Sequence, residues 1–275
     1  MTDLNDHFPV RPERLRWSHS HVIGRRRRLP VSTRFMTVLR NSLLAFVLAL
    51  SAVTAAPPAW AGERLTVVEL FTSQGCSSCP PADAMLGELA KRDDVLALSV
   101  HVDYWDYIGW KDPFAKPDHG MRQREYAKRF DLKYVYTPQM VVHGTYQLVG
   151  SHRNEVMEVL AEAERLPRVP VALKQSNNRV SLGLPETAMQ EEVRVLSVFF
   201  DHKHETSIER GENSGRTLAY YNVVRDINLI AVWRGEAMSI DIPVEHAMAD
   251  ACAIVLQSAQ SGHIIGAAVV GLEKK

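Results

Sequence analysis

Cys76 and Cys79, in the run Gly75-Cys76-Ser77-Ser78-Cys79-Pro80, are the residues of this chain whose types and spacing best suit covalent chemistry. Two intervening residues let the second sulfur reach the first and close a small disulfide, so the pair can take up or give out two electrons. The reactive form is the thiolate. It is favoured at a helix N-terminus, where unpaired N–H groups and partial positive charge face the sulfur. Zinc would need about four ligands, commonly two such pairs. The remaining cysteine, Cys252, lies far off in an apolar run, so no metal is expected. A purely structural disulfide in an exported chain is the competing reading.

The elements that must hold this pair can be read on either side of it. Leu65 to Phe71 is apolar and β-branched, as a buried strand is. Pro81 to Arg92 repeats Ala82, Met85, Leu86 and Leu89 at helical spacing. Proline fits a first helical turn and disrupts an interior, so the helix either begins after Cys79 or is kinked at Pro80 and Pro81. Val95 to Val102 is a second buried strand. Gly120 to Phe130 is a helix whose Arg122, Arg124, Lys128 and Arg129 form a solvated basic face. Tyr136-Thr137-Pro138-Gln139 leads into a short strand, a turn at His143-Gly144 and a partner strand at Tyr146 to Val149. Proline belongs at the head of such a strand. Ser151 is placed to cap a helix running to about Leu166.

Strand, Cys-x-x-Cys helix, strand, helix, Thr-Pro-led strand, hairpin partner and helix, in that order, resemble the thioredoxin fold. The resemblance implies Cys76 as nucleophile and Cys79 as resolving cysteine. It makes Pro138 a cis-proline opposite them, with the Thr137 backbone pairing an extended substrate. Cys76 is then the accessible sulfur and Cys79 the shielded one. Val68 to Asp83, His101 to Phe114 and Gly211 to Arg225 are more closely similar to an exported, thioredoxin-like bacterial family known as a domain of unknown function. That resemblance implies a fold and leaves the substrate open. In such a fold the end of the second strand lies beside the dithiol, so Tyr104, Trp105 and Trp110 would wall a substrate groove. Plain packing of a large loop is the alternative. Thioredoxins carry a buried acid six residues before the nucleophile, a position held here by Leu70. Glu69, one residue earlier, is the candidate proton acceptor, although period-two geometry turns it to the opposite face unless a bulge intervenes.

Beyond the linker-like Pro167-Arg168-Val169-Pro170 the chain reads as short strands. They lie around Val180 to Leu184, Val193 to Phe199, Ile227 to Trp233, Met238 to Ile242, Cys252 to Gln257 and Ile264 to Val270. The expected architecture is an α/β thioredoxin-like domain over 62–168, followed by a mainly-β, sandwich-like domain over 169–275. Gly211 to Thr217 is a polar, glycine-punctuated hairpin loop. It lacks the lysine-serine ending of a phosphate loop. Cys252 reads as a buried, unreactive thiol, and His202 and His204 as surface residues.

Residues 1–61 differ from the rest. Arg25 to Arg28 and Arg40 precede the apolar run Leu43 to Leu50, and Ala59-Trp60-Ala61 fits a cleavage site, so this is an export signal starting at Met1 or Met36. Its apolar run is too short for a span of about 20 residues, and no membrane span is expected after cleavage. Nine of the 32 basic and three of the 32 acidic residues lie there, which leaves 23 against 29 in the remaining 214. That acidic balance argues against nucleic acid. The chemistry expected is periplasmic or secreted thiol–disulfide exchange through Cys76 and Cys79, with protein thiols or disulfides and a redox partner protein as partners and no cofactor. The alternative is a non-enzymatic binding or chaperone-like module with an inert disulfide.

Overall fold

The computed structural model describes residues 64–244 and 248–273; the export signal read over 1–61 lies outside the described residues. Among these, no helix is long and apolar enough to cross a membrane.

The chain begins with β1 (Thr66–Thr72), α1 (Pro80–Leu89), β2 (Val95–His101), α2 (Pro117–Arg129), β3 (Gln139–Val142), β4 (Tyr146–Val149) and α3 (Arg153–Ala163). β1 and β2 are parallel, β3 is antiparallel to β1, and β4 is antiparallel to β3. All seven residues of β1 are buried, because helices cover both of its faces and each successive side chain meets a different one. Val68 and Leu70 pack with Ala82, Met85 and Leu86 of α1 and with Val156 and Leu160 of α3. Val67 and Phe71 face Tyr126 of α2.

The second half adds β5 (Ala172–Ser176), β6 (Arg179–Leu184), β7 (Val193–Ser207), β8 (Thr217–Trp233), β9 (Met238–Pro243), β10 (Ala251–Ser258) and β11 (Ile264–Gly271). β7, β8, β10 and β11 extend the first sheet into eight strands, in the order β11-β10-β7-β8-β2-β1-β3-β4, while β5-β6-β9 forms a second sheet. Val180, Leu182 and Leu184 of the small sheet share a core with Val193, Val195, Trp233, Ile254 and Leu256 of the large one. The change from α/β to all-β composition near residue 168 is therefore not a break in the sheet. β8 lies parallel to β2 at Ser99 and Val223, and the Asn222 side-chain amide donates to the Ala97 carbonyl at 2.8 Å.

Three local expectations change. α1 starts directly after Cys79, with Pro80 and Pro81 in its first turn, where the missing N–H groups cost nothing. α3 is capped at His152 without a side-chain cap, and Ser151 contributes its carbonyl, which accepts from the Arg153 N–H at 3.1 Å. Arg122 does not belong to a solvated face. Its side chain is 10% exposed and ion-paired to Glu69, because the α2 face that carries it packs onto β1.

β7 and β8 are long, 15 and 17 residues, and pair along their whole length from Val193–Trp233 to Ser207–Thr217, with register shifts at Val195/Leu196 and Phe199/Phe200. Such bulges bend a ribbon. Beyond them the hairpin carries its tip to the loop after β1.

Candidate functional site

Cys76 and Cys79 form a disulfide with Cα atoms 5.4 Å apart. The loop that holds it follows the end of β1. The Cys76 N–H donates to the Ser73 carbonyl at 3.1 Å and the Cys79 N–H to the Cys76 carbonyl at 3.2 Å. Ser78 Oγ lies 3.4 Å from Cys76 Sγ. Gln74 anchors the loop from below, its N–H donating to Asp112 Oδ2 at 2.9 Å. Contrary to expectation, Cys76 is not accessible. It is 1% exposed and Cys79 0%.

Beneath the disulfide lies a buried polar cluster. Asp83 follows Cys79 by four residues, on the same side of α1, and its N–H donates to the Cys79 carbonyl at 3.1 Å. Thr72, at the end of β1, donates its hydroxyl to Asp83 Oδ1 at 2.8 Å. Burial, only partly offset by His101 and the Thr72 hydroxyl, pushes the Asp83 carboxyl up from 3.8 to about 7. His101, the last residue of β2, meets Asp112 Oδ2 through Nδ1 at 2.6 Å. Burial opposes charge on that imidazole, yet the Asp112 carboxylate outweighs it and holds the His101 pKa above its usual value. Tyr220, from the hairpin, packs edge-on to the His101 ring at 4.9 Å between centroids. Asp83 Oδ2, His101 Nε2, the Tyr220 hydroxyl and Ser99 Oγ are all buried with no hydrogen-bond partner among the described residues. Such groups are rare and costly, so their concentration in one place marks it.

Thr137–Pro138 is a cis peptide bond at the head of β3. Phe71 pairs with Gln139, so Pro138 stands beside the end of β1. Trp105 bridges the two parts. Its indole N–H donates to Thr137 Oγ1 at 2.7 Å, and its Cβ would lie 3.3 Å from a Cβ added at Gly75. Trp110 donates to Gln74 Oε1 at 2.8 Å. Tyr104 turns away, donating to Gln123 Oε1 at 3.0 Å, whereas Tyr107 is 80% exposed. Glu69 is not at the dithiol. It faces α2 and accepts from Arg122 Nε at 2.6 Å, Arg122 Nη2 at 2.9 Å and the Tyr126 hydroxyl at 2.6 Å. No bulge intervenes in β1, so the two-residue period sends Glu69 to the face opposite α1.

A hairpin tip from far along the chain closes onto the dithiol loop. Asn213, 1% exposed in an otherwise exposed hairpin tip, donates both amide hydrogens, to the Gln74 carbonyl at 2.9 Å and the Cys76 carbonyl at 2.9 Å. Glu212 Oε2 accepts from the Ser77 N–H at 3.3 Å. Gly211, at φ +77°, lies against Trp110 and Ile108. Behind the tip a cleft of about 360 Å³ opens between α1 and the start of β8, lined by Asp83, Gly87, Lys91, Arg216 and Tyr221 among others. Asp83, Asp112, Glu212 and Asn213 fall inside the three family-like blocks of the sequence, but none is individually expected at the dithiol. Asp83 carries a local signal as well: an acidic residue one helical turn after Cys79 among apolar neighbours.

Residues 67–257 match a family described as "Protein of unknown function (DUF1223)". No curated protein matches the chain. The crystal structure of a structural-genomics target from Agrobacterium tumefaciens is similar at 32% identity and TM-score 0.68, covering 78% of this chain and 98% of that one. HBP35 of Porphyromonas gingivalis is similar in fold, at 14% identity and TM-score 0.53, over 78% of this chain and 76% of its own.

Proposed function

The chain belongs to the DUF1223 family, a membership that leaves its chemistry open, and we propose that it is a periplasmic thiol–disulfide oxidoreductase built on a thioredoxin-like core. The observation that carries this reading is the pairing of a Cys-x-x-Cys disulfide at the start of α1 with a buried, half-satisfied carboxyl one turn later. The parallel β1–β2 pair and the antiparallel β3–β4 pair on its other side support the thioredoxin-like reading. So does the cis peptide bond at Thr137–Pro138 beside the end of β1. The location rests on the export signal read in residues 1–61.

In the reductive direction the Cys76 thiolate attacks one sulfur of a client disulfide and expels the other as a thiolate. Cys79 gives up its proton, for which Asp83 is the acceptor, and attacks Cys76 Sγ. The Cys76–Cys79 bond forms, the client leaves as a dithiol, and two electrons have moved to it. The reverse sequence oxidises a client dithiol. A carboxyl titrating near neutrality suits a group that must take and return a proton. Thr137, Trp105 and Trp110 surround the approach to the dithiol loop and are proposed as client contacts, with Tyr104 supporting Trp105.

The burial of both sulfurs favours a second reading, a binding module whose disulfide is inert. Equilibration against dithiothreitol and glutathione buffers separates the two. A potential between about −120 and −270 mV, the span of exchanging dithiols, supports the enzyme. A value below about −300 mV supports the inert module, provided a Cys79→Ala variant also captures no client in mixed disulfide.

A further inference from the structure

The hairpin tip that meets the dithiol loop is tied more to itself than to that loop. The turn Ile208–Arg216 holds its own shape. Ile208 closes its root, its N–H donating to the Arg216 carbonyl at 2.9 Å and its carbonyl accepting from the Gly215 N–H at 2.8 Å. Inside it, Ser214 Oγ donates to the Glu209 carbonyl at 2.9 Å and Arg216 Nη1 to Asn213 Oδ1 at 2.9 Å. Ile208 is buried at 2% and anchors the root, while the tip beyond it is exposed apart from Asn213 and the half-buried Gly211. Against these internal ties, the hydrogen bonds from the tip to the dithiol loop are the two from Asn213 and the long one to Glu212. Gly211 and Gly215, at φ +77° and +81°, occupy backbone conformations that other residues rarely adopt.

We propose that the hairpin tip Glu209–Arg216 is a displaceable lid over the Cys76–Cys79 bond, latched by Asn213. The proposal rests on the oxidoreductase reading for its purpose and on geometry alone for its existence. The latch acts on the carbonyls of Gln74 and Cys76, so a client that reaches the sulfurs from this side must first break those two bonds. Engagement by a client therefore competes with Asn213 directly, and a dithiol without a fitting client stays covered. Glu212 adds a selective element. Its carboxylate accepts from the Ser77 N–H, so the closed lid places an acidic side chain beside the dithiol loop, where it repels anionic thiols.

The rate of reduction of the disulfide by tris(2-carboxyethyl)phosphine, followed by quenching with an alkylating agent and mass measurement, tests the latch in the mature chain. Asn213→Ala is expected to speed reduction by roughly tenfold, since two hydrogen bonds hold the lid shut. An unchanged rate in a variant with native circular dichroism overturns the lid. Hydrogen–deuterium exchange on the unaltered protein decides the matter should that variant fail to fold. Peptides over 209–216 and 74–78 are expected to exchange together and well before β7 and β8. Exchange only with the strands overturns the proposal. Fast lid opening combined with a strongly reducing, client-blind disulfide would keep the lid and sink the oxidoreductase, so the two failures are distinguishable.

Discussion

Glu69 and Asp83 are two buried carboxyls on opposite faces of β1, and their surroundings could hardly differ more. On the α2 face, both oxygens of the Glu69 carboxylate are satisfied. Arg122 gives it two hydrogen bonds and the Tyr126 hydroxyl a third. Gln257 from β10 completes the set by donating to the same hydroxyl at 2.9 Å and accepting from Arg122 Nη1 at 3.1 Å. On the α1 face, Asp83 receives one hydroxyl and keeps a bare oxygen, amid other buried polar atoms without partners. A satisfied buried ion pair ties elements together and is costly to break. A half-satisfied one is costly to keep, and natural sequences retain such clusters where they do something else. The first is a staple joining β1, α2 and β10. The second is the better candidate for chemistry, although the first is the larger electrostatic feature.

The largest expected effect tests the staple. Arg122→Ala leaves the Glu69 carboxylate buried without its cation and is expected to lower stability by about 3–5 kcal/mol, read from the urea midpoint at an unchanged slope. The reduction rate of the disulfide in the folded fraction should stay as it was. A stable Arg122→Ala protein with altered dithiol kinetics would invert the assignment of the two faces. Next in size is Asp83→Asn, which keeps the shape and the Thr72 contact and removes the proton acceptor. Exchange through Cys79 at neutral pH should slow by about tenfold to a hundredfold, with the step near pH 7 missing from the rate profile. Wild-type kinetics in Asp83→Asn would reduce the cluster to a packing oddity.

The contrast between the two faces explains what the sequence can and cannot reveal. The strand–helix–strand order around Cys76, the Thr137-Pro138 strand head and the alternating Val180, Leu182 and Leu184 follow from periodicity and turn chemistry, which are local. Glu69 stands out by its distance from Cys76, but distance along a strand does not fix a face, and the two-residue period decides it. Arg122 reads as solvated because a basic stripe on a helix usually is; burying it requires a carboxylate 53 residues away. Asn213 meets Cys76 across 137 residues. No spacing rule reaches that far, since the contact depends on the length and bend of the β7–β8 ribbon.

A smaller effect follows from the Asp83 titration. Its folded value of about 7 lies above the ordinary 3.8, so between those values the native state holds a proton that the unfolded chain has released. Stability attributable to Asp83 is therefore complete at low pH and is lost as pH rises through 7. Holding one proton more than the unfolded chain is worth about 1.4 kcal/mol per pH unit. Between pH 6 and 8 about one such unit remains, the one below the folded value of about 7. His101, also raised, acts in the same direction. Urea midpoints at pH 6 and 8 are expected to differ in that sense for the wild type and by less for Asp83→Asn. A variant as pH-sensitive as the wild type would assign the titration to His101 alone.

The smallest effect concerns the one cysteine outside the site. Cys252 lies in β10, fully buried among Leu182, Trp233 and Ile254 in the core between the two sheets, and burial pushes its thiol up to about 12. Its Sγ has a weak contact, to the Ala253 carbonyl at 3.8 Å. A thiol so held is uncharged at any working pH and is sheltered from both oxidants and disulfides. Cys252→Ala should cost about 1 kcal/mol in lost packing and leave the redox equilibrium of Cys76 and Cys79 where it was. In the reduced wild-type protein, iodoacetamide should label Cys252 last and only as the chain unfolds. Scrambled disulfides involving Cys252 on reoxidation of the native protein, or a shifted potential in Cys252→Ala, would mean that the core between the two sheets opens to the dithiol. The separation between a structural region and a chemical one would then fail at its quietest point.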